Sequence, residues 1–122
     1  MNEVKITAES QFVPRLSNND KALFYFSYKI KIYNEGEKQV QLISRHWDIE
    51  DSLGRKRVID GEGVIGKKPM IEPGENFEYK SFCPLKTDFG IMKGFYTMKD
   101  EEGNLFKASI PQFGLVVPNT VN

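Results

Sequence analysis

The chain has 122 residues, 39% hydrophobic and 28% charged, and its 17 basic and 17 acidic side chains cancel. That is one globular domain with a packed core. It excludes a disordered chain and a polyanion-binding arm, since the composition is that of a globular protein and no unbalanced charge remains to draw in nucleic acid or anionic lipid. Cys83 is the only cysteine, so no disulfide forms within the chain and stability comes from packing. MNEVKITAES at the start has no apolar leader segment, and no apolar run nears the roughly 20 residues of a membrane helix. A cytoplasmic location without membrane insertion is expected.

The hydrophobic period is two. In LFYFSYKIKIYN, Phe24, Phe26, Tyr28, Ile30 and Ile32 share one face, with Tyr25, Ser27, Lys29, Lys31 and Tyr33 on the other. This predicts a long, half-buried strand. NEGE (34–37) is a turn, and QVQLISRHWDIED returns as a strand with Ile43, Trp47 and Ile49 on one face and Val40 and Leu42 on the other. Apolar residues on both faces predict a central strand covered on two sides. DSLG (51–54) turns the chain into RKRVID, whose basic residues suit an edge strand. EPGE (72–75) has the Pro-Gly centre of a type II turn, and NFEYKSFC alternates with Phe77, Tyr79, Ser81 and Cys83 together. GFYTMKD and NLFKASI flank DEEGN as a hairpin, and QFGLVVP reads as a final short strand. No helix, repeat or linker is evident. Short strands between frequent turns predict an all-β sandwich or barrel. Trp47 in a central strand is an immunoglobulin-like feature, and the lone cysteine favours a fibronectin type III-like version. Trp47, Phe24 and Phe26 are the predicted core. The domain spans residues 1–122, with residues 119–122 as a frayed tail.

GEGVIG (61–66) spells the G-x-G-x-x-G of a dinucleotide-binding turn. In that setting the last glycine opens a helix whose N-terminus holds the pyrophosphate. Here KKPMIEPGE follows, and Pro69, Pro73 and Gly74 forbid such a helix. Three readings stand: a loop or bulged edge needing positive φ, a small nest of N–H groups that holds an anion with Lys67 or Lys68, and a protein-contact loop with Val64 and Ile65 exposed. The candidate ligand- or partner-binding loop is therefore Gly61, Glu62, Gly63, Val64, Ile65, Gly66 and Lys67.

Ser44, His46 and Asp48 share a strand face, but residues two apart stand about 7 Å from each other, too far for a catalytic relay. His46 is expected to be structural or surface-bound. One histidine and one cysteine make no zinc site, and Asp51, Asp60 and Glu62 read as solvated loop charges rather than ligands for Mg²⁺ or Ca²⁺. Cys83 reads as a small buried filler with no basic partner to activate it. Tyr25, Lys29, Lys31 and Tyr33 could stack single-stranded nucleic acid, but zero net charge favours an ordinary mixed surface. No catalytic residue, cofactor, metal, DNA or RNA is expected.

LISRHWDIEDSLG, GEGVIGKKPMIEPGENFEYKS, CPL, GFYTM and IPQFGLVVP together resemble the ApaG family over about Val4 to Pro118. The resemblance implies an immunoglobulin/fibronectin III-like sandwich. It also implies an association with cobalt resistance and magnesium efflux, and a gene neighbourhood that includes a diadenosine tetraphosphate hydrolase. In eukaryotes similar domains are attached to F-box proteins and to a polymerase-interacting protein, which implies protein binding. The family's glycine motif falls on Gly61, Gly63 and Gly66 and has prompted a pyrophosphate hypothesis. The expectation is a non-enzymatic module that binds a protein partner. The alternative is a weak binder of nucleotide polyphosphate, or its metal complex, at GEGVIG.

Overall fold

A computed structural model describes residues 3–118; the expected frayed tail at 119–122 lies outside the described residues. Eight strands follow in order: β1 (Val4–Phe12), β2 (Phe24–Asn34), β3 (Val40–Asp51), β4 (Lys56–Glu62), β5 (Met70–Ile71), β6 (Asn76–Leu85), β7 (Phe89–Lys99) and β8 (Leu105–Val116). They form two antiparallel sheets, β1-β2-β6 and β4-β3-β7-β8, with β5 paired to β3 beside β4. This is the immunoglobulin/fibronectin III-like sandwich expected from Trp47, the lone cysteine and the family resemblance. The N-terminal segment, read above only for a leader, is a strand with Ile6 buried. Pro14–Leu16 and Asn19–Lys21 form single-turn 3-10 helices, too short to leave a helical period in the sequence.

β2 follows its period-two reading: Phe26, Tyr28, Ile30 and Ile32 are buried. Phe26 and Trp47 are at the centre of the core, whereas Phe24 packs at its margin. Trp47 meets the rings of Tyr28, Tyr96 and Phe113 edge-on at centroid distances of 5.4, 6.5 and 5.9 Å. Such geometry adds to the large area an aromatic buries. Asn34 is the buried polar hub of the sheet end. Its Nδ2 donates to the carbonyls of Lys38 and Ile71 at 2.7 and 2.9 Å, and its Oδ1 accepts from the Gly36 N–H at 3.0 Å.

β3 corrects its sequence reading. The pairing with β7 slips between Leu42 and Ser44, leaving Ile43 as an extra residue. A bulge reverses the alternation beyond it. Val40 and Leu42 before it and Trp47 and Ile49 after it thus all turn to the same core and are all buried. One apolar face, kinked once, looks in sequence like two. The segments NLFKASI and QFGLVVP are likewise one strand. β8 runs through Pro111, where the pairing with β7 slips between Met92 and Gly94. A bulge on an outer strand is where a proline without an N–H is tolerated.

Candidate functional site

β3 ends the constraint on β4. β4 pairs with β3 on one side only, from Glu50↔Lys56 to Ser44↔Glu62. Six of its seven residues are exposed, including Val58 at 57% and Ile59 at 37%. The direction of its backbone groups follows from its ends. Asp51 N–H donates to the Arg55 carbonyl at 3.0 Å and Gly63 N–H donates to the Ile43 carbonyl at 2.8 Å. In an antiparallel ladder the bonding alternates, so odd-numbered residues 57, 59 and 61 face β3. Lys56, Val58, Asp60 and Glu62 turn their N–H and C=O groups to the open side. Of the other sheet margins, those of β1 and β8 meet each other, whereas β6 pairs with β2 alone. β1 lies against β8, with Ser10 Oγ donating to the Gly114 carbonyl at 2.5 Å. The end of β6 carries Pro84, whose carbonyl accepts from Arg57 Nη2 at 3.0 Å.

The glycines continue β4 into a tight hairpin. Val64 and Lys67 exchange N–H···O bonds of 2.8 and 2.9 Å across Ile65 and Gly66, whose φ values are 45° and 75°. Two positive φ angles in a two-residue loop make the I′ type of turn. Gly63, at φ 60°, bends the strand into that hairpin; a Cβ there would strike the Lys67 carbonyl oxygen. Gly61 serves a different need. A Cβ at 61 would lie 2.5 Å from Nη2 of Arg45, which crosses over it to donate through Nη1 to the carbonyls of Glu62 and Gly63 at 3.0 and 2.9 Å. Lys68 Nζ pairs with Glu62 at 3.2 Å. The N–H groups of Gly63, Val64 and Lys67 are thus already bonded within the protein. Val64 is buried at 1% exposure, which corrects its reading as an exposed anchor; Ile65 is exposed. Arg45 is the residue of this loop that the sequence reading missed. Its one signal in the sequence is its place in LISRHWDIEDSLG, on the strand that pairs Arg45 with Gly61.

His46 does touch Asp48, contrary to the spacing argument. Its Nε2 lies 3.1 Å from Asp48 Oδ2, and its Nδ1 lies 2.6 Å from Asp60 Oδ1 on β4. Side chains lean along a strand, and an imidazole is long enough to close the gap. The ring stacks on Phe95 at 4.7 Å, and Lys107 Nζ sits 4.4 Å above the same Phe95 ring. With a carboxylate at each nitrogen, the charged imidazolium is favoured. The Asp60 hydrogen bond, aided by Asp48 against partial burial, raises the His46 pKa. Both nitrogens are engaged by acids, so neither is placed to take a proton from Ser44.

The other candidates separate. Asp51 caps the β3–β4 turn, accepting from Leu53 N–H, Arg55 N–H and Arg55 Nε at 2.9, 3.0 and 2.7 Å. Asp60 belongs to His46 and Glu62 to Lys68, so these three acids do not converge. Among the described residues, no group of three or more His, Cys, Asp or Glu could hold a metal ion. Cys83 does have a basic neighbour: Arg57 Nη2 lies 3.4 Å from its Sγ. Burial still dominates and raises the thiol pKa. On the outer face of β2, Lys29 pairs with Glu9 at 3.1 Å and Lys31 with Glu78 at 3.5 Å, which neutralises the proposed stacking face. No helix among the described residues is long and apolar enough to cross a membrane.

The ApaG domain is the family whose pattern this chain matches, over residues 14–100. The chain belongs to the ApaG family. Protein ApaG of Anaeromyxobacter dehalogenans strain 2CP-C is 45% identical over 119 residues, covering 98% of this chain and 94% of that one. Protein ApaG of Methylocella silvestris is 46% identical over 116 residues, covering 95% and 89%. A crystal structure of a Bordetella pertussis ApaA protein superposes with a TM-score of 0.94 at 38% identity, covering 98% of this chain and 97% of that one. The ApaG fold accordingly accounts for both sheets, and the edge at β4 and the hairpin after it are features within an ApaG domain.

Proposed function

We propose that this ApaG domain is a cytoplasmic protein-binding module whose binding element is the free edge of β4. An extended segment of a protein partner would add to the sheet as a further strand. The observation that carries the reading is the row of outward backbone groups at Lys56, Val58, Asp60 and Glu62, set beside exposed Val58 and Ile59. Backbone bonding supplies affinity in strand addition, and alternate side chains supply selectivity. Charges on β4 discourage indiscriminate pairing without closing the edge. The association of ApaG proteins with cobalt and magnesium homeostasis would then act through the protein held at β4.

The polyphosphate alternative has less support. The hairpin has no helix behind it, and three of its N–H groups serve internal bonds. The test of the protein-binding reading is a photo-reactive phenylalanine analogue placed at Val58 and, as a control on the same sheet, at Lys107. Irradiation in intact cells should give a discrete protein adduct from position 58 and none from 107. Absence of an adduct at 58, or equal labelling at both, would refute it.

A further inference from the structure

Read outward from its centre, β4 is complementary to itself. KRVIDGE begins with Lys56 and Arg57, ends with Asp60 and Glu62, and holds Val58 and Ile59 between them. Two copies placed antiparallel about a two-fold axis at Ile59 would align all four outward-facing residues. Lys56 would stand opposite Glu62 of the second copy, and Val58 opposite Asp60 of the second copy. Outward residues would meet outward residues, so every N–H and C=O on the open side would find a partner. On one sheet face the two Ile59 side chains would be directly opposed. On the other face the two Val58 side chains would meet diagonally, within reach of apolar contact. Charge pairs would flank this apolar centre at both ends.

We infer that the segment β4 accepts is β4 of a second copy of this chain, giving a two-fold dimer with a continuous sheet. This rests on the β4 edge being the binding element and names its occupant. A two-fold interface requires a patch that complements itself, and an opposite-charge gradient along one antiparallel edge has that property. Sliding by two residues in one direction would place Asp60 against Asp60, which the charges disfavour. Sliding in the other would keep opposite charges as Lys56–Asp60 pairs but leave Glu62 opposite the β3–β4 turn at Gly54. Full pairing of the strand therefore favours the register centred on Ile59. The existing side-chain partners of Asp60 and Glu62 leave the contact free to form. Glu62 has an exposed side chain, and its bond to Lys68 is a surface pair that a second cation can share. Asp60 reaches back to His46 through its side chain, while its backbone faces out.

Sedimentation velocity from about 1 to 500 µM at low and physiological salt tests this, with charge reversals as the decisive arm. Wild type should show a concentration-dependent monomer–dimer equilibrium that weakens with salt. Lys56→Glu and Glu62→Lys should each weaken the dimer by about tenfold, since each variant turns two attractive pairs into repulsive ones. The double variant Lys56→Glu/Glu62→Lys should restore it, because the reversed charges again face one another across the two-fold axis. Circular dichroism and melting confirm that each variant is folded. A monomer throughout overturns the inference, as does a dimer that the reversals leave unchanged or the double variant fails to restore. The cell experiment with the analogue at position 58 separates this from the broader reading. An adduct of twice the chain's mass agrees with self-pairing. An adduct with a different protein from a monomeric chain keeps β4 as the binding edge and removes the second copy as its occupant.

Discussion

The Arg45 guanidinium occupies the space that a side chain at residue 61 would need, with Nη2 and Cζ 2.5 and 2.6 Å from the position of a Cβ on Gly61. Gly61 therefore leaves room for the guanidinium of its cross-strand neighbour. Gly61→Ala should dislodge Arg45 and release the carbonyls of Glu62 and Gly63. Hydrogen bonds to a charged donor are worth about 1.5–3 kcal/mol, so a destabilisation of about that size is expected in denaturant melts. Arg45→Ala should cost a similar amount, and the double variant should cost less than the sum of the two. Additive losses would show that the two residues are not coupled.

Gly63 and Gly66 both have positive φ, but only Gly63 faces backbone. Gly66→Ala meets no atom within 4 Å and should cost about 1–2 kcal/mol, the usual left-handed penalty. Gly63→Ala adds a collision with the Lys67 carbonyl and should cost more. Gly63→Val should lower the melting temperature further, while calorimetric titration with ATP, with and without Mg²⁺, shows millimolar or weaker affinity in wild type and variant alike. Micromolar binding in wild type, lost in a variant that melts normally, would establish a pyrophosphate site instead.

Ile65 holds a φ of 45° at the first central position of the I′ turn, a conformation that a β-branched residue adopts only under strain. Ile65→Asn should relieve it and stabilise the domain by about 1 kcal/mol, read as a higher melting temperature. An unchanged or lower value would mean that Ile65 makes compensating contacts.

His46 gives the stability a defined dependence on pH. Its folded pKa is raised above the ordinary 6.5 by the Asp60 hydrogen bond, with Asp48 adding to it. The stabilisation is therefore whole below about pH 6.5 and is lost as pH rises through the raised value. Wild type should lose stability relative to His46→Gln on going from pH 6 to pH 8.5. An NMR titration of the imidazole should have its midpoint above 6.5. A midpoint at or below 6.5 contradicts the clamp between the two carboxylates.

The sandwich was legible because alternation in β2 and β6 and the turns at NEGE, DSLG and DEEGN are local signals. Edge placement of β4 was legible from its charge. The bulges at Ile43 and Pro111 were not, since a slip in register depends on the neighbouring strand and leaves no local mark. For that reason Val40 and Leu42 were assigned to the wrong face. The proline and glycine context rightly excluded a helix after GEGVIG. The same reasoning could not place Val64 in the core, because Gly63 turns the chain inward there. Contacts between strands were also out of reach: Arg45 over Gly61, Asp60 beside His46 and Arg57 at Cys83 each join residues at least 14 positions apart. The free direction of the β4 backbone groups follows only from hydrogen bonds at both ends of that strand.

Residue-resolved amide exchange along β4 reads the open edge one N–H group at a time. In dilute solution Arg57, Ile59 and Gly61 N–H should be protected by β3, while Lys56, Val58, Asp60 and Glu62 N–H should exchange rapidly. Raising the protein concentration should slow exchange at the second set and leave the first set unchanged, because strand addition bonds the outward groups alone. Slow exchange at Val58 and Asp60 in the dilute protein, or no concentration-dependent protection there, would contradict a free binding edge occupied by a second copy.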